Sequence, residues 1–426
     1  MLPEKGGNAS PRALWSWAFY DWANNGFFTL IQTFIFATYF TKSVASDPTL
    51  GTTLWGNMMG AAGLVIGIGG PLFGAWADRC GRRKPWVLGC TLLTVGATAM
   101  LWFVQPDPSW VVWGLVFVGI GTIGAEYSMI FYNAMLPDLV SSDRIGRWSG
   151  WGWAMGYVGG LFGLVLALFG FINEGAFLGI SHEGAAHVRA TCLLSAGWYL
   201  LFALPLFFFT PDTPSTGVGL RRGLGEAFTQ LVHSLREVRK FKHIARFLVA
   251  RMIYNDGLVT LFAFGGIYAA GTYGMSAQEV IYFAIGLNVT AGLGAAGFAW
   301  LDDHFGAKLV ILVSLVGLIV PGVTILLATS KGVLWIFGLA LGIFMGPVQA
   351  ASRSYMARVA PEDIRGEMFG LFAFSGKVTS FLGPLLVGWV TYMTDSQRWG
   401  MSVVVFMFIL GGTVMLTVPR ADQIQK

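Results

Sequence analysis

The positively charged residues of this chain are distributed unevenly among the short segments that separate its apolar stretches. Of its 27 Lys and Arg residues, 20 lie in one alternate set of these segments, four lie in the other set, and three lie inside apolar stretches. This alternation is the charge bias that orients membrane helices, because cytoplasmic loops carry the excess of Lys and Arg. The pattern therefore predicts a chain that crosses a membrane many times in one orientation.

The composition agrees with a membrane protein, since 55% of the residues are hydrophobic and only 12% are charged. Spanning the hydrocarbon takes roughly 20 apolar residues per helix. Six stretches of that kind contain no Asp, Glu, Lys or Arg, namely 50–77, 86–104, 148–173, 190–210, 309–330 and 401–418. Six more are interrupted by isolated charges or by small and polar residues, namely 14–41, 109–137, 244–272, 280–301, 332–359 and 366–393. We predict an all-α polytopic protein with twelve transmembrane helices.

The charge bias also divides the chain into domains and places its ends. We predict a cytoplasmic tail (1–13), a six-helix half (14–210), a cytoplasmic linker (211–243), a second six-helix half (244–418) and a short cytoplasmic tail (419–426). The first ten residues lack a charged n-region and a cleavage site, so the first span is predicted to be retained. The expected location is the cell (inner) membrane, or the vacuolar membrane in a eukaryote.

The net charge of +5 is expected to reflect this topology and contacts with acidic lipid headgroups, and binding to nucleic acid is not expected. Within the linker, apolar residues recur at helical spacing beside several Arg and Lys residues. This spacing fits an amphipathic helix on the inner leaflet, and it fits a solvated basic linker equally well.

The two halves carry matching loops, which indicates a duplication. The loop at 78–84 reads Asp-Arg-Cys-Gly-Arg-Arg-Lys, and the loop at 303–308 reads Asp-His-Phe-Gly-Ala-Lys. Both halves start on the cytoplasmic side, so they are predicted to be parallel repeats.

The first of these loops places one carboxylate among four cations at a helix end, which is suited to a latch between helices. The candidate latch residues are Gly74, Asp78, Arg79, Gly81, Arg82 and Arg83. Their pattern resembles the signature loop of the major facilitator superfamily. The resemblance implies that Asp78 and Arg79 latch the second helix to the other half. The second loop has His304 in place of Arg79 and lacks the basic cluster, so a weaker latch is expected there.

Four further motifs narrow the resemblance to the vacuole-effluxer-like branch of that superfamily. They are Trp-Ala-Phe-Tyr-Asp-Trp-Ala-Asn-Asn at 17–25, Phe-Tyr-Asn-Ala-Met-Leu-Pro at 131–137, Ala-Arg-Met-Ile-Tyr-Asn-Asp-Gly at 250–257 and Gly-Pro-Val-Gln-Ala-Ala-Ser-Arg-Ser at 346–354. The resemblance implies a multi-pass transporter that works as a monomer. Yeast relatives in this branch export amino acids from the vacuole.

Six ionisable residues lie inside predicted helices, and they are the main candidates for a functional site. They are Asp21, Glu126, Arg251, Asp256, Arg353 and Lys377. Each costs about 2.5–3.5 kcal/mol at a helix centre, so such a residue is a candidate for function. Five of the six lie on the first, fourth, seventh and tenth helices, which line the central cavity in the superfamily that the chain resembles. The alternative is structural, because a buried ion pair can also fix helix register or act as a gate.

The polar residues expected beside these charges are Asn25, Asn133, Asn255 and Gln349. Together they suit a small polar or zwitterionic solute, with an amino acid as the first choice, moved by alternating access and coupled to protons. Organic anions, sugars and peptide fragments are the alternatives, and a sensor or scaffold without transport is a further one. The sequence lacks the nucleotide-binding and hydrolase motifs of an enzyme, and neither a metal nor a cofactor is predicted.

The charge bias makes a testable prediction about topology. Reporter fusions to residue 1 and to residue 426 should both show cytoplasmic behaviour, with a fluorescent protein active and alkaline phosphatase inactive. A phosphatase fusion in the loop that contains Arg189 should be active, because that loop belongs to the set poor in Lys and Arg. An active phosphatase at either terminus would contradict the predicted orientation.

Overall fold

The computed structural model describes residues 9–173, 176–217, 229, 241–275 and 277–424, and within these ranges it is helical with no strand. The predicted amphipathic helix or linker therefore lies mostly outside the described residues. The main helices are α1 (Pro11–Gly26), α2 (Pro48–Cys80), α3 (Lys84–Met100), α4 (Val111–Leu139), α5 (Ile145–Ala167), α6 (Ala186–Phe209), α7 (Lys242–Tyr273), α8 (Ala277–Phe305), α9 (Ala307–Leu327), α10 (Lys331–Val359), α11 in two pieces (Arg365–Lys377 and Leu382–Thr394) and α12 (Gln397–Leu416).

Eleven helical segments of the described part are long and apolar enough to cross a membrane. They correspond to α2 through α12. The predicted class, an all-α polytopic protein, is confirmed. Both described chain ends lie beside the loops around residues 140 and 360, since Ala9 N–H donates to the Leu139 carbonyl and the Tyr355 hydroxyl donates to the Pro419 carbonyl. We call this face the basic side.

The first predicted span is helical but not a single α-helix. Its start follows from local chemistry, because the Ser10 hydroxyl accepts the Ala13 N–H and Pro11 fits the first turn. Beyond Gly26 the chain continues as wider π-helical turns at Phe27–Phe34 and Phe40–Val44, separated by a short α-helical turn. The prediction of a span at 14–41 did not foresee these turns.

On the basic side, α2 and α11 pack backbone against backbone. A Cβ placed on Gly70 would lie 3.2 Å from the Gly370 carbonyl oxygen, and one placed on Gly74 would lie 2.1 Å from the Gly366 carbonyl oxygen. Glycine is needed here because any side chain would push the two helices apart. Lipid gives helices no hydrophobic drive to associate, so such close packing is a main source of attraction.

A second contact on the same side joins α5 to α8. A Cβ on Gly146 would lie 2.5 Å from Cγ of Asp302, and one on Gly150 would lie 2.5 Å from Cβ of Ala299. The α2–α11 and α5–α8 contacts therefore close the space between the first six helices and the last six on the basic side.

Toward the opposite side the two groups of six helices separate. A Cβ on Gly56, Gly60 or Gly63 in the first part of α2 would meet nothing within 4 Å. On the α5–α8 side, a cavity of about 430 Å³ lies between Leu161 of α5 and Ala284 of α8. The described structure is thus closed on the basic side and open on the other.

We expect the glycine contacts to decide which side is closed. Gly370→Val should destabilise the closed basic side by about 1–3 kcal/mol through overpacking, whereas Gly60→Val, which faces open space, should have little effect. Pulsed electron paramagnetic resonance between labels at Arg82 and Asp363, with the native cysteines replaced, measures the separation. Equal distance distributions in the two variants would contradict the assignment.

Candidate functional site

A cavity of about 370 Å³ lies between the two groups of six helices. Nine of the ten predicted site residues line it, namely Asp21, Asn25, Glu126, Asn133, Arg251, Asn255, Gln349, Arg353 and Lys377. The tenth, Asp256, is placed elsewhere. Phe28, Thr29, Thr33 and Phe34 also line the cavity, and all four lie on the first π-helical stretch beyond α1, Phe27–Phe34.

Asp21 of α1 and Arg353 of α10 form a buried ion pair at the floor of the cavity. Arg353 Nη1 lies 2.9 Å from Asp21 Oδ2, and the side chains are 2% and 5% exposed. Arg353 Nη1 also donates to Asn133 Oδ1 at 3.2 Å, and Nε and Nη2 donate to the hydroxyl and carbonyl of Ser149. The Tyr132 hydroxyl donates to the same Asp21 oxygen at 2.9 Å.

This network joins the two halves, because Asp21, Tyr132, Asn133 and Ser149 belong to the first six helices and Arg353 to the last six. All three nitrogens of the guanidinium have protein partners. Full satisfaction and deep burial suit a gate that holds the halves together better than a direct substrate contact.

Glu126 of α4 and Lys377 of α11 form a second ion pair between the halves, with Lys377 Nζ 2.7 Å from Glu126 Oε1. Their side chains are 17% and 28% exposed, so this pair is more accessible from the cavity than the Asp21–Arg353 pair. The helix position of Lys377 is favourable as well, because it ends the first piece of α11, where a cation complements the helix dipole.

Arg251 of α7 lines the cavity without a carboxylate partner among the described residues. Its Nη1 donates to the Phe372 carbonyl at 2.6 Å and to the Ser375 hydroxyl at 2.8 Å, and its guanidinium lies 3.5 Å from the centre of the Phe372 ring. Asn255 Nδ2 donates to the Gly376 carbonyl at 3.1 Å. These contacts fix α7 against the first piece of α11, and within the described ranges Arg251 forms no ion pair with an acid.

Asp256, which the sequence places in the same cavity as Arg251, lies outside it. The residue is 3% exposed and accepts the Gly383 N–H at the start of the second piece of α11, at 3.2 Å. The reason is the helical period: a step of five residues from Arg251 turns Asp256 away from the face that Arg251 occupies.

Asn25 and Gln349 complete the predicted set. Asn25 Nδ2 is 3.3 Å from the Asp21 carbonyl one turn earlier. Gln349 Nε2 of α10 lies 3.1 Å from the Tyr157 hydroxyl of α5, which makes a further link between the halves.

The sequence assigns no role to several residues of the site. Tyr132 and Ser149 bond to the ion pair, and Gly152 makes room for it, since a Cβ there would lie 2.5 Å from Asp21 Oδ2 and 2.8 Å from Arg353 Nη2. Glycine is common throughout this chain, so only the three-dimensional packing singles out Gly152. Tyr132 lies inside the motif at 131–137, but the motif alone gives it no role.

The predicted latch lies at the basic end of the space between the halves. Asp78 of α2 accepts the Gly366 N–H at 2.9 Å and the Glu367 N–H at 3.1 Å, where α11 begins. A carboxylate is favourable at a helix N-terminus, because the first N–H groups lack partners within the helix.

Of the candidate cations of the latch, Arg83 is the one that lies beside Asp78. Arg83 Nη2 lies 3.7 Å from Asp78 Oδ1 in a buried position, whereas Arg79 and Arg82 are exposed. The turn at Gly81 explains the difference. Its φ of 86° is left-handed, and it brings Arg83 back over the helix end.

The latch continues through Asp138 at the end of α4, which pairs with both Arg83 and Arg365. In the second half the signs are reversed. Arg358 at the end of α10 pairs with both Asp302 and Asp303.

The second latch was predicted to be weaker because its own loop lacks a basic cluster. The structure supplies the cations from other helices instead, since Arg147 of α5 lies 3.5 Å from Asp303 and Arg358 of α10 lies 3.2 Å from it. Sequence comparison of the two loops could not reveal partners that come from elsewhere in the chain.

The buried ion pair makes a prediction about stability. Asp21→Asn and Arg353→Gln should each cost about 3–5 kcal/mol, because each leaves a buried charge without its partner. The double variant should cost clearly less than the sum of the two. Chemical unfolding of the purified protein in detergent measures the three values, and additive costs would contradict a direct coupling between the two side chains.

The sequence matches the model of one protein family, and it is similar to a bacterial and to a yeast protein. The model of the family described as "Vacuole effluxer Atg22 like" matches residues 62–425. An uncharacterized MFS-type transporter of Bacillus subtilis, YxiO, is 24% identical over 416 residues, which cover 95% of this chain and 94% of that protein. Autophagy-related protein 22 of Kluyveromyces lactis is 24% identical over 353 residues, which cover 74% of this chain and 69% of that protein.

Solved structures resemble nearly the whole of the chain. The proton:xylose symporter XylE of the major facilitator superfamily has a TM-score of 0.73 at 15% identity, with 96% of each chain covered. The human organic anion transporter MFSD10 has a TM-score of 0.73 at 16% identity, with 95% of this chain and 100% of that chain covered. At these identities the similarity establishes a common fold.

Proposed function

The chain belongs to the family of Atg22-like vacuole effluxers within the major facilitator superfamily, and from this membership we propose a secondary transporter that moves a small zwitterionic solute by alternating access, with amino acids as the first choice. The family is one of transporters, so the chain is a multi-pass membrane transport protein and not an enzyme. We further propose that it works as a monomer in the cell membrane, or in the vacuolar membrane of a eukaryote, with both termini in the cytoplasm.

The observation that carries the proposal is a polar cavity between two halves whose close backbone contacts, in the described part of the chain, lie on the basic side. Alternating access requires such a cavity to open to each side in turn. The glycine contacts and the two latches would then be the closed gate of one state, and they would separate as the halves rock. The Asp21–Arg353 and Glu126–Lys377 pairs cross the same space and would have to break or lengthen in that movement.

The charges of the cavity support a substrate with a carboxylate. Two acids, Asp21 and Glu126, and three bases, Arg251, Arg353 and Lys377, line it. The cavity wall therefore carries one more positive than negative charge. Arg251 is the base that forms no ion pair in the described part of the chain. A substrate carboxylate would bind Arg251 through charge-assisted hydrogen bonds, and its ammonium group would bind Glu126.

The same excess of positive charge supports a second candidate, an organic anion without an ammonium group. Such a substrate would bind Arg251 and Lys377 and would not need a free acid. Glu126 discriminates between the two candidates, because only a zwitterion or a cation uses it directly.

Counterflow in proteoliposomes with a pooled, labelled amino-acid panel tests the proposal. We expect the wild type to exchange the label and Glu126→Gln to lose at least about tenfold in rate, which corresponds to about 1.4 kcal/mol. Glu279→Gln is the matched control, since Glu279 forms an ion pair with Lys331 at the surface, at 3.1 Å, away from the cavity.

A flat trace from folded wild-type protein would reject the amino-acid panel and move the search to organic anions, sugars and peptide fragments. Exchange that survives Glu126→Gln unchanged would reject the ammonium site and favour the organic anion.

A further inference from the structure

The eleventh helix is broken near the middle of the membrane. Its first piece ends at Lys377 and its second begins at Leu382, with a turn between them. Lys377 lies 12 residues beyond Arg365, which is about 18 Å at 1.5 Å per residue and thus near the middle of a hydrocarbon core about 30 Å thick. Across the turn the backbone bonds are tighter, from Ser380 N–H to the Lys377 carbonyl and from Leu382 N–H to the Thr379 carbonyl. Broken helices at this depth recur at ion sites of transporters.

The new helix start after the break is capped by Asp256 from α7. Asp256 Oδ2 accepts the Gly383 N–H, in the first turn of a piece of 13 residues. The approach is close, because a Cβ on Gly383 would lie 2.0 Å from Thr260 Oγ1 and 3.1 Å from Asp256 Oδ1. Glycine at position 383 is therefore what allows the carboxylate to reach the helix start.

The other oxygen of Asp256 is buried and has no hydrogen-bond partner among the described residues. No ion pair to Asp256 is formed within the described ranges either. The other two acids predicted inside helices differ in this respect, because Asp21 pairs with Arg353 and Glu126 pairs with Lys377.

In the part of the chain that the structure describes, the helices near Asp256 offer it no compensating charge. From 382 to 391 in α11 and from 399 to 416 in α12, the sequence has no Asp, Glu, Lys, Arg or His. The nearest charged or titratable groups on α7 are Arg251, which bonds to Phe372 and Ser375, and Tyr254, whose hydroxyl bonds to Ser352 of α10. On the first piece of α11, Lys377 bonds to Glu126. On α10, Arg353 is directed to Asp21 and Ser149.

Two opposed effects therefore act on this carboxyl group. Burial without a cation favours the neutral, protonated form, because an isolated buried carboxylate is very costly. The helix N-terminus favours the ionised form, because unpaired N–H groups and the helix dipole stabilise an anion. A group held between such effects can change its protonation state when its surroundings move.

We propose that Asp256 is the site that binds the coupling proton, at the break of α11. The proposal rests on the proposed function of secondary transport, and it names the site of coupling separately from the site of the substrate. In this arrangement the carboxylate becomes neutral by binding a proton on Oδ1. It loses that proton to water when the break opens toward the cavity, whose wall includes the adjacent Asn255.

The break connects this proton site to the contact between the halves. Lys377 ends the piece before the break, and it holds Glu126 of the opposite half. A stronger or weaker cap on the second piece changes the geometry of the turn, and with it the position of Lys377. The protonation of Asp256 is thereby linked to the separation of the halves without direct contact with the substrate.

The first test needs no substrate. Infrared difference spectra of the purified full-length protein between acidic and alkaline pH should show a protonated-carboxyl band, to which every titrating Asp and Glu contributes. We expect Asp256→Asn to remove one component of that band, and we expect the matched variants Asp21→Asn and Glu126→Gln to keep this component. Spectra of the wild type and of folded Asp256→Asn protein that coincide in this band overturn the proposal. If Asp256→Asn does not fold, Asp256→Glu keeps the carboxyl group and should shift the band, whereas an unshifted band overturns the proposal.

The second test separates coupling from transport, with the same labelled amino-acid panel. With one-to-one coupling, a pH difference of about one unit drives up to about tenfold accumulation in the wild type. Asp256→Asn should retain counterflow and lose this accumulation. Accumulation that persists in the variant, or counterflow that is lost with it, overturns the proposal. A wild type without counterflow rejects the proposed substrates, and the infrared result then decides the role of Asp256 by itself.

Discussion

The contact of backbone with backbone between α2 and α11 is the interaction on which the rest of the structure depends. Gly70 and Gly74 meet Gly370 and Gly366 at distances that no side chain would permit. This approach brings the start of α11 within reach of Asp78, and it closes the cavity on the basic side. Because lipid does not drive helices together, the contact depends on fit and on hydrogen bonds, and both can be lost in one rigid-body movement.

The two latches have a similar arrangement of charged side chains, but the signs of the charges are reversed. In the first latch one acid, Asp138, lies between two arginines. In the second, one arginine, Arg358, lies between two acids. Coulomb attraction depends on the product of the charges, so reversing every sign leaves the interaction unchanged. The pairs that join the halves, Asp138 with Arg365 and Arg147 with Asp303, likewise exchange their signs and remain attractive.

The sequence predicts the order and the approximate bounds of the helices from α2 to α12 well, because hydrophobic length is a direct consequence of the bilayer. It also predicts which charges gather near the cavity, as Glu126 and Lys377 illustrate. It fails where the outcome depends on the rotation of a helix or on a turn. Asp256 faces away from the cavity because of the helical period, and Arg83 replaces Arg79 because of the left-handed turn at Gly81.

The π-helical turns beyond α1 have a mechanical consequence. A π-turn holds an extra residue within the width of the helix and forms longer hydrogen-bonded rings than an α-turn. When such a turn relaxes to α-helical geometry, every residue beyond it rotates about the axis and moves along it, while the helix itself stays intact. The polar face of Thr29 and Thr33 lies within the first of these stretches, and it also lines the cavity. A change between π-helical and α-helical geometry in this stretch would thus change the direction in which Thr29 and Thr33 face relative to the cavity.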